Sequence, residues 1–268
     1  MRRLLTFGCE GAALAATLDD AAGEAGLLVV TGGTQTRIGS HRLFERLTLA
    51  LAASGTPCLR FDRRGVGDSE GADPDWRGSG PDVAAAAAAF RRECPGVRRI
   101  VGFGLCDGAS ALALHGPASG LDALILVNPW FVEAEAGAPP PAAIRDHYRR
   151  RLLTLSGWKR LLTGAVSFRK LASGLARAVS ARPATLAAEI ARSLEASGRP
   201  LQLILALRDA TAVAARAEWG SSAFAGLRAR SPEPVVIDSD SHTFSRPGDA
   251  EALEAAVRKA LVRLSGGG

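Results

Sequence analysis

Lysine is nearly missing: Lys159, Lys170 and Lys259 are the only ones among 33 basic residues, and histidine occurs four times. Aromatic residues make up 5% of the chain, and no nucleic-acid-binding signature accompanies the arginines, so we expect no nucleic-acid partner. Cysteine is sparse as well. Cys9, Cys58, Cys94 and Cys106 form no CxxC pair and have no histidine close by to complete a zinc quartet, which argues against a structural metal. Four scattered thiols in a chain of this length are not a disulfide framework either, and a reduced state is expected. No apolar run is long enough to cross a membrane. The longest, LDALILVNPWFV at 121–132, is broken by Asn128 and Pro129 well short of the roughly 20 residues a span requires. Gly8, Glu10 and Gly11 interrupt the apolar start of the chain, which argues against a secretory signal and for a cytoplasmic location.

What remains is a globular composition. Of 268 residues, 47% are hydrophobic and 22% charged, enough for one or two domains with a proper core. The net charge of +6 is unevenly placed. Residues 133–200 hold twelve basic and five acidic side chains, so this one segment carries more positive charge than the whole chain does.

Hydrophobic periodicity sets out an alternation of strands and helices. RRLLTF (2–7) and AALAATL (12–18) flank a CEG turn as an opening hairpin. LLVVTGG (27–33) is a continuous apolar run, as a strand buried on both faces should be. HRLFERLTLALAASG (41–55) spaces its leucines helically and closes on Gly55. The same order repeats with strands at 57–62, 98–104, 121–128, 200–207 and 233–239, and helices at 82–94, 107–115, 212–226 and 251–264. Such alternation predicts an α/β fold with eight strands in a mostly parallel sheet and helices on both faces. Residues 1–132 and 200–268 would form the core. Residues 133–199, basic, helix-prone and interrupted by prolines, would be a helical cap inserted between strands six and seven.

The chemistry concentrates at GFGLCDG (102–108), where a strand ends and a helix begins at once. This is the GxSxG nucleophile elbow with Cys106 in place of serine. Glycines two residues either side relieve crowding in the sharp turn, and the following helix N-terminus favours a thiolate. Partners should follow in the order acid, then histidine. Asp209 stands immediately after strand seven, and His242 stands in SDSHTFS after strand eight. Their expected roles are those of a triad: His242 takes the thiol proton and later gives it to the leaving group, while Asp209 orients the ring and stabilises its charged form. The oxyanion hole should use the backbone N–H of Asp107 and an N–H from TGGTQ after strand three, that of Gly33 with Thr34 beside it.

With FDRRGVGDSEG, GLCDGA, RDATA and DSHTFS at these places, the sequence resembles the α/β-hydrolase superfamily. Within it, GGTQTRIGSHRLF together with GLCDGA, NPW and SHTFS is similar to the exosortase A system-associated hydrolase 1 family. The resemblance covers nearly the whole chain. It implies the α/β-hydrolase fold, a cysteine nucleophile, and a bacterial protein whose gene accompanies exopolysaccharide synthesis.

Each feature also has a plainer explanation. Asp209 could simply cap the following helix, with Glu133 as reserve acid. Cys9, Cys58 and Cys94 are expected to serve packing. His41 could reach the site's rim or simply begin a helix, and DRRGVGDS at 62–69 reads as tight-turn scaffold. The basic segment WKRLLTGAVSFRKLASGLARAV (158–179) fits a solvated face over the site or a contact for acidic lipid or an anionic substrate. The reading is a hydrolase that cleaves a small-molecule ester or thioester through an acyl-cysteine, with no cofactor. An acyltransferase using the same triad, with a saccharide or carrier as acceptor, and a non-catalytic binding protein are the alternatives.

Overall fold

The computed structural model describes residues 1–132 and 186–266. The chain opens with a hairpin, β1 (Arg2–Cys9) and β2 (Ala12–Asp19), in register from Arg2 opposite Asp19 to Cys9 opposite Ala12. Its loop is therefore two residues, Glu10 and Gly11, both at positive φ. That geometry matches the right-handed twist of the paired strands. Six further strands follow: β3 (Ala25–Val30), β4 (Cys58–Phe61), β5 (Arg99–Leu105), β6 (Ala123–Val127), β7 (Leu201–Ala206) and β8 (Val235–Ile237). They form one eight-stranded sheet in the order β1-β2-β4-β3-β5-β6-β7-β8. Pairing is parallel from β4 to β8 across the sheet, and antiparallel only where β2 meets β1 and β4. This is the α/β-hydrolase fold that the motifs imply.

Seven α-helices cover the sheet among the described residues: α1 (Leu43–Ala53), α2 (Gly80–Glu93), α3 (Asp107–His115), α4 (Leu186–Ser197), α5 (Ala210–Trp219), α6 (Ala225–Arg230) and α7 (Asp249–Ser265). Helices α1 and α7 pack together, as do α2, α3 and α4, and the central strands lie between these layers. Leu27, Leu28, Val29, Ile100, Phe103, Ile125 and Leu126 are wholly buried, which is why β3, β5 and β6 read as unbroken apolar runs rather than as alternation. On α1 the buried positions Leu43, Leu47 and Leu51 recur every fourth residue, one helical stripe facing the core.

Three boundaries depart from expectation. α1 starts at Leu43 because His41 and Arg42 sit at φ 54° and 59°, outside the helical region. The helix expected over 212–226 begins at Ala210, stops at Trp219, and resumes as α6 after a short 3₁₀ turn. The cap expected over 133–199 divides at residue 186. Residues 186–197 form α4, whose Leu186, Ile190, Ala191 and Leu194 are buried and which packs on α3. Its Ser193 hydroxyl donates to the Leu114 carbonyl at 2.9 Å, tying α4 to the core layer. Residues 133–185, with the basic segment 158–179, Glu133 and His147, lie outside the described residues.

Candidate active site

The elbow at the end of β5 is shaped by crowding. Cys106 takes φ 57°, ψ −122°, a region that residues with a Cβ rarely enter. A Cβ on Gly104 would lie 2.5 Å from the Gly108 carbonyl, and one on Gly108 would lie 2.3 Å from the Val30 carbonyl oxygen. Both flanking positions must therefore be glycine for β3, β5 and α3 to meet so closely. The strained turn is held from both sides. Cys106 N–H donates to Val127 at 3.0 Å, and its carbonyl accepts from Ala109 and Ser110 N–H at 3.0 and 3.1 Å. The thiol emerges partly exposed at the N-terminus of α3, where the helix dipole favours negative charge.

Cys106 differs in this from the other three cysteines, which are all buried. Loss of solvation, aided by Asp82, pushes the Cys9 thiol up to about 11. Loss of solvation near Asp20 does the same to Cys94, and Cys58 is pushed higher still. These three are packing residues that stay protonated at neutral pH.

His242 and Asp209 converge on the elbow from the ends of β8 and β7. His242 Nδ1 stands 3.1 Å from Asp209 Oδ2, and the ring lies near enough to Cys106 for the thiol to influence its charge. Burial opposes charge on the ring, but the hydrogen bond with Asp209, helped by the neighbouring Cys106, outweighs it and pushes the imidazolium up to about 10. Asp209 is buried, and the same Oδ2 accepts from the Ala212 N–H at 2.8 Å. The two readings of this residue are thus compatible: it caps α5 and faces the histidine with one oxygen.

The loop after β3 lies directly against the first turn of α3, so close that a Cβ on Gly32 would stand 2.7 Å from Gly108 N. Gly33, at φ 52°, and Thr34 are exposed beside Asp107. Among the described residues, the N–H groups of Gly33, Thr34 and Asp107 donate to no protein acceptor. They are the donors that an incoming oxyanion could use.

Two features matter more than the sequence suggested. Arg63, 1% exposed, donates from Nη2 to the Gly33 carbonyl at 2.6 Å and from Nη1 to Asp73 at 3.1 Å. Asp62, also buried, accepts from the Arg37 and Asp68 N–H groups at 2.5 and 3.1 Å and pairs with the Arg37 guanidinium. DRRGVGDS is the tight turn expected, with Gly65 and Gly67 at positive φ, and it also clamps the loop that carries Gly33. Asn128 is the second. Buried at the end of β6 with φ 41°, it accepts from Ala206 N–H at 2.8 Å and donates to the His242 carbonyl at 3.1 Å. A polar residue ending an otherwise apolar strand was the available signal in NPW. The same motif's Trp130 is held by the Ser110 hydroxyl, which donates to the Trp130 carbonyl at 2.7 Å and accepts its N–H at 2.9 Å.

His41 does not join this cluster. It lines a cavity of about 240 Å³ with Arg46, Thr243, Phe244 and Arg246, to which neither Cys106 nor Asp209 contributes. His115 Nε2 donates to the Arg77 carbonyl, 2.8 Å away, and anchors a surface loop. Among the described residues no group of His, Cys, Asp and Glu could hold a metal ion, and no helix is long and apolar enough to cross a membrane.

Comparison with known proteins agrees with this architecture. An esterase from Pyrococcus furiosus is 17% identical, with a TM-score of 0.68 over 98% of this chain and 91% of that one. Est1E from Butyrivibrio proteoclasticus, solved with ferulic acid bound, is 18% identical, with a TM-score of 0.63 over 98% and 99%. A proline iminopeptidase from Mycobacterium smegmatis is 17% identical, with a TM-score of 0.59 over 97% and 98%. No curated protein matches the chain's sequence. A family model described as the alpha/beta hydrolase family matches residues 27–268, most of β3, every later strand and every loop that carries the candidate site, and the chain belongs to that family.

Proposed function

We propose that this protein hydrolyses a small-molecule ester or thioester through a Cys106–His242–Asp209 triad. One observation carries the reading: a thiol in a strained elbow, beside a histidine whose Nδ1 is 3.1 Å from a buried carboxylate. His242 takes the proton of Cys106, and the thiolate forms a C–S bond to the substrate carbonyl carbon. The oxygen charge that develops is met by the N–H groups of Asp107 and Gly33. Collapse breaks the bond to the leaving oxygen or sulfur, which receives the proton held by His242. Water then attacks the acyl-cysteine, giving a proton to His242, and cleavage of the C–S bond returns the thiol and releases the acid. Asp209 stabilises the imidazolium in both halves. No step requires a cofactor. The motifs shared with exosortase-associated hydrolases support a setting in bacterial exopolysaccharide metabolism.

The test is intact-mass analysis after exposure to p-nitrophenyl esters and acyl thioesters. An acyl adduct on Cys106 that vanishes in Cys106→Ala is expected, with free acid as product. Acylated saccharide or carrier formed in preference to free acid would instead make the protein an acyltransferase. A Cys106 that neither accepts an acyl group nor reacts with a thiol probe would make it a binding protein.

A further inference from the structure

Asp107 is unusual company for a nucleophile. Its carboxylate Oδ1 accepts from the Cys106 thiol at 3.6 Å, and a Cβ built on Gly33 would lie 3.9 Å from its Oδ2. The side chain therefore stands between the sulfur and the loop whose N–H groups face an incoming oxyanion. Two plainer roles can be checked against its contacts. As first residue of α3 it could cap that helix, but among the described residues no backbone N–H donates to its oxygens. It could neutralise an arginine, yet it forms no ion pair among the described residues, although Arg37 and Arg63 on neighbouring segments both pair with other acids. It is partly exposed.

An unpaired carboxylate in this place works against the chemistry. Negative charge develops on the carbonyl oxygen as the thiolate attacks, and a fixed anion a few ångströms away raises the energy of that intermediate. A substrate that brings its own positive charge removes the penalty and gains an ion pair. We propose that Asp107 is a specificity-determining residue that selects acyl groups carrying an ammonium next to the scissile carbonyl. This rests on the acyl-transfer reading of Cys106. The α-ammonium of an aminoacyl ester or thioester is the fitting chemistry, because Asp107 is the immediate neighbour of the attacking atom and a more distant cation would pass it by.

The experiment compares the p-nitrophenyl esters of alanine and isobutyric acid, in which a methyl group replaces the ammonium. It uses the full chain at about pH 6.5, where an α-ammonium remains charged. Dividing the kcat/KM ratio of the wild type by that of Asp107→Asn cancels the intrinsic reactivity of the two esters. The expected quotient is about five to ten in favour of the alanyl ester, the size of one partly shielded ion pair, and it should decline as salt is raised. Asp107→Ser is measured in parallel, so that a folding defect in one variant leaves a second reading. A quotient of one with active enzyme overturns the role of Asp107 and leaves the triad standing. Absence of any acyl adduct on Cys106 from either ester overturns the acyl-transfer reading and this inference with it.

Discussion

Replacing Asp209 separates its two duties. Asp209→Asn keeps an oxygen for the Ala212 N–H and for His242 Nδ1, and asparagine is as good an N-cap as aspartate, so α5 should hold. What it removes is charge. The imidazolium is pushed up to about 10, with the Asp209 hydrogen bond the largest of the causes that raise it, so losing that carboxylate must lower its midpoint. A group whose pKa is higher folded than unfolded contributes stability that is fully present below its unfolded value of 6.5 and is lost as pH rises through about 10. The whole elevation would convert to several kcal/mol. With Cys106 supplying part of it and the His242 side chain 32% exposed, we expect Asp209→Asn to cost about 1–2 kcal/mol near pH 6, shrinking towards pH 10. Asp209→Ala should cost about 1 kcal/mol more at every pH, because the cap goes too. In catalysis the neutral amide no longer stabilises the imidazolium and can present its NH2 to Nδ1, so both variants should lose about 100-fold or more in kcat/KM. Urea denaturation at two pH values, an NMR titration of His242 and ester kinetics supply the readouts. An Asp209→Ala protein with an unshifted His242 midpoint and undiminished rate would refute the reasoning.

Arg63→Met removes the buried guanidinium that fixes the Gly33 carbonyl; kcat should fall about 10-fold to 100-fold with KM little changed, because the oxyanion donor loses its aim, and a fall in KM-limited binding alone would contradict this. Asn128→Ala strips a buried acceptor from Ala206 N–H and a donor from the His242 carbonyl, and thermal unfolding should report a loss of about 1–3 kcal/mol. Gly104→Ala forces a methyl group to 2.5 Å from the Gly108 backbone, so destabilisation of about 1–3 kcal/mol or more is expected by denaturant titration, together with lost labelling of Cys106. At neutral pH, iodoacetamide should modify Cys106 and leave Cys9, Cys58 and Cys94 untouched until the protein unfolds, as peptide mapping would show.

The order of elements was legible in the amino acids because each element's burial leaves a period. The central strands are covered on both faces and so are apolar throughout, α1 shows one face to the core, and a two-residue turn marks the opening hairpin. Cys106, Asp209 and His242 were identifiable one by one, since Cys106 ends a strand directly, Asp209 and His242 lie in the loops that follow the next-to-last and last strands, and the glycines around Cys106 are required by the crowded turn. Their meeting was not contained in any local pattern. It depends on a parallel sheet that aligns the ends of β5, β7 and β8 along one edge, and on a carboxylate oxygen shared between a helix cap and a histidine. Nor could local sequence show that Arg63 reaches back 30 residues to hold Gly33, that Asn128 spans 114 residues to hold the His242 loop, or that Asp107 forms no ion pair among the described residues. Periodicity records which side of an element faces the core. Which distant polar groups satisfy one another is decided only when the sheet has assembled and burial leaves each of them a single partner within reach.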